Sequence, residues 1–195
     1  MSSTAVRLVP APPAEYESTA TALSSLGLIR SRAPLPEAEQ SPNSEIWLTE
    51  DHRTAAVWVR DELLDVSYIS VQGIESRVLA ERIRSVLPMD DIPQLQARVI
   101  ADRDPDVLMD SILRAAVLAC SGFDPQAFTF LQWALRDPDP LVRRVALLAV
   151  SVTGWGDFSP ILEEISEKDP IDEVRKQAAR VLNSILRPEG DASAT

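Results

Sequence analysis

The sequence is poor in the residues that most chemistry requires. Cys120 is the single cysteine among 195 residues, so no internal disulfide can form. His52 is the single histidine, and a structural zinc site ordinarily takes four Cys or His ligands, so that class is excluded as well. The six glycines are scattered at 27, 73, 122, 154, 156 and 190, with no run able to cradle a phosphate. Aromatic residues make up only 5% of the chain, so Ala, Val, Leu and Ile carry most of its 45% hydrophobic content. That balance favours helices packed closely through small side chains. No apolar run approaches the ~20 residues a membrane-spanning helix needs, and the first residues lack the basic start and apolar stretch of a signal peptide. A cytoplasmic protein with no membrane contact is the expectation.

Basic residues are also few. Nineteen Lys and Arg face thirty Asp and Glu, a net charge of −11. Nonspecific nucleic-acid binding depends on Lys and Arg neutralising phosphates, so a nucleic-acid partner is not expected. Solubility explains the acidity most simply, a basic protein partner more interestingly, and charge alone does not separate the two.

Proline, by contrast, is abundant, at fifteen residues, and it punctuates the chain. The Pro- and Ser-rich stretch 1–13 reads as a mobile tail. From Ala14 a helix is predicted, with Tyr16, Ala20, Leu23 and Leu26 at helical spacing and Gly27 as its stop. Ser31 to Ser44, with Pro34, Pro36 and Pro42, reads as a loop. Three β-prone segments follow: Glu45–Thr49, Thr54–Arg60 and Val66–Gln72. The last alternates, with Ser67, Ile69 and Val71 on one face and Val66, Tyr68, Ser70 and Gln72 on the other. A helix over Ile74–Leu87, with Val78, Leu79, Ile83, Val86 and Leu87 in one stripe, would cover the sheet. Residues 14–90 are thus expected to form a small α+β domain, a three-stranded antiparallel sheet with flanking helices.

From residue 91 to 187 the pattern is helical and repeats. Leu113-Arg114-x-x-Val117-x-x-Cys120, Val142-Arg143-x-x-Ala146-x-x-Ala149 and Val174-Arg175-x-x-Ala178-x-x-Val181 can be superposed. Asp137-Pro138 and Asp169-Pro170 precede the second and third, and Asp104-Pro105 is a degenerate first copy. Asp before Pro is suited to cap a helix N-terminus, since its carboxylate accepts an orphan amide and Pro gives up no hydrogen bond there. Each unit is a helical hairpin that cannot bury its apolar stripe alone and must stack on the next. Residues 188–195 read as a second mobile tail.

The segment Leu135 to Ala146, with its Asp137, Val142, Arg143 and Ala146, resembles the HEAT-like repeats of the PBS-lyase type. The resemblance extends over roughly residues 92–187. It implies an all-α repeat in which Asp137, Arg143, Asp169 and Arg175 make structural contacts between successive units, and Val142, Ala146, Val174 and Ala178 pack.

Motifs for chemistry are sparse. His52 falls in a predicted turn and Cys120 in what looks like a helix core. Asp102 to Asp106 begins like a calcium loop, but Val107 stands where Gly is needed and Leu113 where Glu is needed. Carboxylate pairs such as Glu163-Glu164 and Asp172-Glu173 sit on predicted helix surfaces. No catalytic residue, cofactor or metal is expected. Trp155, between two repeat helices, either packs or anchors a partner; with Arg144, Lys176 and Arg180 it makes up the candidate binding set. The reading is a non-catalytic protein-interaction module, an adaptor or scaffold. The alternatives are an immunity or antitoxin-type protein neutralising a basic toxin, and an enzyme subunit such as a bilin lyase partner.

Overall fold

The computed structural model describes residues 5–13, 16–31, 44–102 and 104–187, and divides into two units, one ending at Asp91 and the other beginning at Ile92. The first unit holds a five-stranded antiparallel sheet rather than the expected three strands. Its strands are β1 (Val6–Leu8), β2 (Ile29–Arg30), β3 (Ser44–Leu48), β4 (Thr54–Asp61) and β5 (Val66–Gly73), in the order β1-β5-β4-β3-β2. The three inner strands are those with legible β patterns. The two edge strands span three and two residues, too short to display a period of two.

Residues 5–13 are not the tail that their Pro and Ser content suggested. Leu8, Val9 and Pro10 are buried, and beyond β1 the Ala11 amide donates to Pro88 O while the Asp90 amide donates to Val9 O. Residues 1–4 of the expected first tail, residues 32–43 of the expected loop Ser31–Ser44 and all of the expected tail 188–195 lie outside the described residues.

Register aligns one face of the sheet. Leu8 and Trp58 both oppose Ile69, and Ala56 lies between Val71 and Trp47. These six side chains are buried under α1 (Tyr16–Ser25) and α2 (Ser76–Val86), which contribute Leu23, Leu79, Ala80 and Ile83. The helix stripe is narrower than its sequence suggested, because Val78 and Val86 are exposed and Ala80 takes the inward position.

The hairpin β4–β5 ends at Gly73, opposite Thr54, with φ +111°. A Cβ there would lie 2.3 Å from Arg53 O and 2.7 Å from Thr54 Cα, both backbone atoms that cannot swing aside. Gly73→Ala should therefore destabilise the first unit by about 3 kcal/mol, combining backbone strain with the clash. A fall in the thermal midpoint followed through Trp47 and Trp58 fluorescence would show it; an unchanged midpoint would mean that the strand end relaxes freely.

Tyr16 ties α1 to the sheet. Its hydroxyl donates to Glu45 Oε2, Arg30 Nη2 donates to Glu45 Oε1 at 2.6 Å, and the phenol ring lies 6.1 Å from Trp58. Burial first, then the hydrogen bond and charge of Glu45, push the Tyr16 pKa up to about 12. Because this lies above its ordinary value of 10.0, the contribution to stability is full below pH ~10 and is lost as pH rises through about 12. Tyr16→Phe should remove that alkaline loss, measured by urea unfolding across pH 9 to 12. An identical pH profile in the variant would refute the assignment.

The second unit is three helical hairpins, α3 (Ile92–Ala101) with α4 (Pro105–Ala119), α5 (Pro125–Ala134) with α6 (Pro140–Thr153), and α7 (Ser159–Lys168) with α8 (Asp172–Leu186). Three of these helices begin with an Asp cap and Pro at the first position: Asp104-Pro105, Asp124-Pro125 and Asp139-Pro140. Asp137 and Asp169, expected as caps, serve instead within the loops, where their Oδ1 atoms accept the amides of Asp139 and Ile171 at 2.9 Å each. Sequence alone could not choose between two Asp-Pro pairs two residues apart at 137 to 140.

The core of this unit is alanine-rich. Ala115, Ala116, Ala127, Ala134, Ala146, Ala149 and Ala178 are all fully buried, and their small side chains let the helices approach while Ile112, Leu131, Leu147 and Leu162 fill between them. Gly154 ends α6 in the left-handed conformation, at φ 65°, where a residue without Cβ carries no steric cost.

Candidate functional site: the inter-repeat bridge and the outer face of α6 and α8

Arg143 stands in the first turn of α6 and is 8% exposed. Its Nε and Nη2 donate to the two carboxylate oxygens of Asp169 at 2.7 and 2.9 Å, and Nη1 donates to Asp137 O and Pro138 O at 2.9 and 3.1 Å. The planar guanidinium thus joins its own loop to that of the next hairpin in one fixed geometry. Burial by itself would raise the Asp169 pKa. The Arg143 hydrogen bonds, the Ile171 amide and the charges of Arg143 and Arg175 together outweigh it and hold the carboxyl below its ordinary range. A groove of about 480 Å³ lies over this bridge, lined in part by Arg136, Ile161, Glu164 and Lys168.

Arg175 repeats half of the pattern. Its Nη1 donates to Asp169 O at 2.6 Å, six residues back, as Arg143 does to Asp137 O, while its Nη2 turns to Asp172 at 2.9 Å. The first copy fails for a positional reason. Arg143 and Arg175 lie four residues after their helix caps, Asp139 and Ile171; the residue four after Asp104 is Leu108, which is buried. Arg114, superposed on them by sequence, lies a further turn and a half along α4 and pairs with Asp110 of its own helix. Val142, Ala146, Val174 and Ala178 are buried in the stack.

The candidate binding residues fall in two places. Trp155 is half-buried, stacked on Phe158 at 6.0 Å and 3° and 4.9 Å from Phe123, so its indole packs at the end of the hairpins. Arg144, Lys176 and Arg180 lie on the solvent side of α6 and α8 and are exposed. Gln177 connects the two helices, donating to Arg144 O at 2.9 Å and accepting from Arg144 Nε at 3.4 Å. Lys176 is held by Asp172 at 2.6 Å. Arg144 and Arg180 have no carboxylate partner among the described residues.

Beside these cations runs an apolar stripe that motif reading missed: Leu141, 54% exposed, with Val145 and Leu148 half-exposed. Its signal was present as i, i+4, i+7 spacing on α6, masked by the stronger buried series Val142, Ala146, Ala149 one residue on. Phe123, exposed beside Trp155, was missed for lack of any periodic neighbour.

His52 is exposed in the β3–β4 turn with φ 58°, and Cys120 is half-buried rather than in the core, at the end of α4, its thiol donating to Ala116 O at 3.1 Å. Among the described residues no group of three His, Cys, Asp or Glu is placed to hold a metal ion, and no helix is long and apolar enough to cross a membrane.

No curated protein and no solved structure matches the chain. The family model described as HEAT repeats matches residues 92–183, a span that falls on three successive helical hairpins, the second and third of them joined by the Arg143–Asp169 bridge. Residues 92–183 are a HEAT-repeat segment.

Proposed function

We propose that the chain is a non-catalytic protein-interaction module, an adaptor or scaffold whose HEAT segment makes the contact. The observation that carries this reading is the contrast between the two sides of α6. One side is locked into the stack through Val142, Arg143 and Ala146, and the other leaves Leu141, Val145 and Leu148 in contact with solvent. A rigid helical array with apolar side chains held outward is preorganised for a macromolecular partner, because little ordering cost accompanies binding. HEAT repeats commonly mediate protein–protein contacts. A non-catalytic role agrees with the places of the two residues most suited to nucleophilic or acid–base work. His52 stands in an exposed turn, and the Cys120 thiol donates to a backbone carbonyl. A cytoplasmic location goes with this reading.

The test is affinity capture of the tagged full chain from extract of its source cells at moderate salt. A stoichiometric protein partner, retained by the wild type and lost when Leu141 and Leu148 are changed to Asp, is the expected outcome. Equal recovery with the double variant, or no partner at all, would contradict the reading.

A further inference from the structure

The face formed by α6 and α8 also indicates the chemistry of what it binds. Within a chain of net charge −11, this face brings together three exposed cations, Arg144, Lys176 and Arg180, against the exposed carboxylates Asp172 and Glu173. Arg144 and Arg180 carry charges that no described carboxylate neutralises, while Asp172 is shared between Arg175 and Lys176. Glu173, at the N-terminal end of α8, is exposed near the start of the face and does not pair with either arginine. By helical spacing, Leu141, Arg144, Val145 and Leu148 follow one another on α6, and Glu173, Lys176, Gln177 and Arg180 on α8, so the row on α8 opens with one carboxylate and continues with two cations. The Arg144–Gln177 contacts bring the two rows side by side. The adjoining α7 is the reverse, with Glu163, Glu164 and Glu167 all exposed. A basic segment would therefore be repelled by the α6–α8 face and drawn elsewhere. An acidic one would find guanidinium groups, able to grip carboxylates in pairs, beside apolar contacts that anchor it.

We infer that the α6–α8 face docks an acidic, amphipathic polypeptide segment, with Arg144 and Arg180 pairing its carboxylates and Leu141, Val145 and Leu148 receiving its apolar side chains. This deepens the interaction reading above and rests on it. It also reverses, for this face, the basic partner that the overall charge suggested: net charge is summed over the whole surface, whereas a docked segment meets only the charges within about a Debye length, ~8–10 Å.

The experiment is selection of a displayed library of random 16-residue peptides against the full chain, alongside Arg144→Glu/Arg180→Glu and Glu163→Lys/Glu164→Lys variants. Both variants change exposed side chains only, and circular dichroism would verify that each keeps its helix content. The expected result is enrichment of peptides that combine Asp or Glu with Leu, Ile or Phe. Their affinity should fall about tenfold or more in the arginine variant and with added salt, and change little in the glutamate variant. Enrichment of basic or uncharged peptides, no enrichment, or equal binding by the arginine variant would overturn the inference. So would tighter binding of a fluorescent 20-nucleotide single-stranded RNA than of the best peptide, since that would make the cations a phosphate site. A cellular partner that is captured by wild type and arginine variant alike, and lost only with the leucine variant, would leave the interaction reading standing and remove this inference alone.

Discussion

Arg143→Ala should be among the most damaging single substitutions in the second unit, lowering its stability by about 3–5 kcal/mol. The reason is less the attraction that is lost than the charge that remains. Asp169 is 8% exposed, and without the guanidinium its carboxylate keeps one amide donor, from Ile171, in place of a bidentate pair. Asp137 O and Pro138 O also lose their shared donor. The double change Arg143→Met/Asp169→Leu should recover most of the loss, because it removes both charges together. Hydrogen exchange resolved by mass spectrometry separates the units. Protection should collapse over α6 to α8 in Arg143→Ala and be largely restored in the double variant, with the sheet unit unaffected in both. Acid should act through the same pair. Since the Asp169 pKa is depressed in the folded state, its contribution is present above the unfolded value of ~3.9 and is lost as pH falls from there through the lower folded value. Asp169→Asn should lack that step.

Phe158→Ala should cost about 3–5 kcal/mol. Phe158 is 0% exposed in a 3-10 turn between α6 and α7, its ring 4.6 Å from Phe128 and stacked on Trp155. Removing it would leave a cavity that the helix ends cannot close, because Gly154 and the α7 start fix the chain on either side. Trp155→Ala should cost less, since Trp155 is only half-buried. Urea unfolding of the two variants gives the order. A larger loss for Trp155 would make it, rather than Phe158, the centre of this cluster. Neither change should abolish partner capture under conditions where the protein is folded, since the aromatic cluster belongs to the packing of the stack.

What the sequence made legible follows from where its patterns were longest. The helices of the second unit carry apolar positions over ten to fifteen residues, enough for a 3.6-residue period to stand out, and the family match falls on them. The family resemblance implied contacts between units for Asp137, Arg143, Asp169 and Arg175, but that Arg143 reaches forward to Asp169 while Asp137 offers it only a backbone oxygen depends on the stacking of two hairpins, which no local pattern records. The misalignment at Leu113-Arg114 arose because local similarity was matched without a helix cap to fix its register. In the first unit β3, β4 and β5 were legible and the edge strands β1 and β2 were not. Ile29-Arg30 becomes a strand only because Trp47 and Leu48 offer it partners, a tertiary effect that no local pattern records. The proposed docking face was legible in its charges but not in its hydrophobic part. Leu141 reads as one more core leucine until the stack shows which side of α6 is already covered.

The most direct test of the account is site-specific photo-crosslinking of the full chain in its source cells, with a benzophenone amino acid placed at Arg144, at Glu163 or at Arg60 in turn. Position 144 should give one protein adduct of a single mass, position 163 on α7 little, and position 60 on the sheet none in common with it. Adducts confined to Arg60 or Glu163, with position 144 silent, would contradict the claim that the HEAT segment makes the contact through α6 and α8.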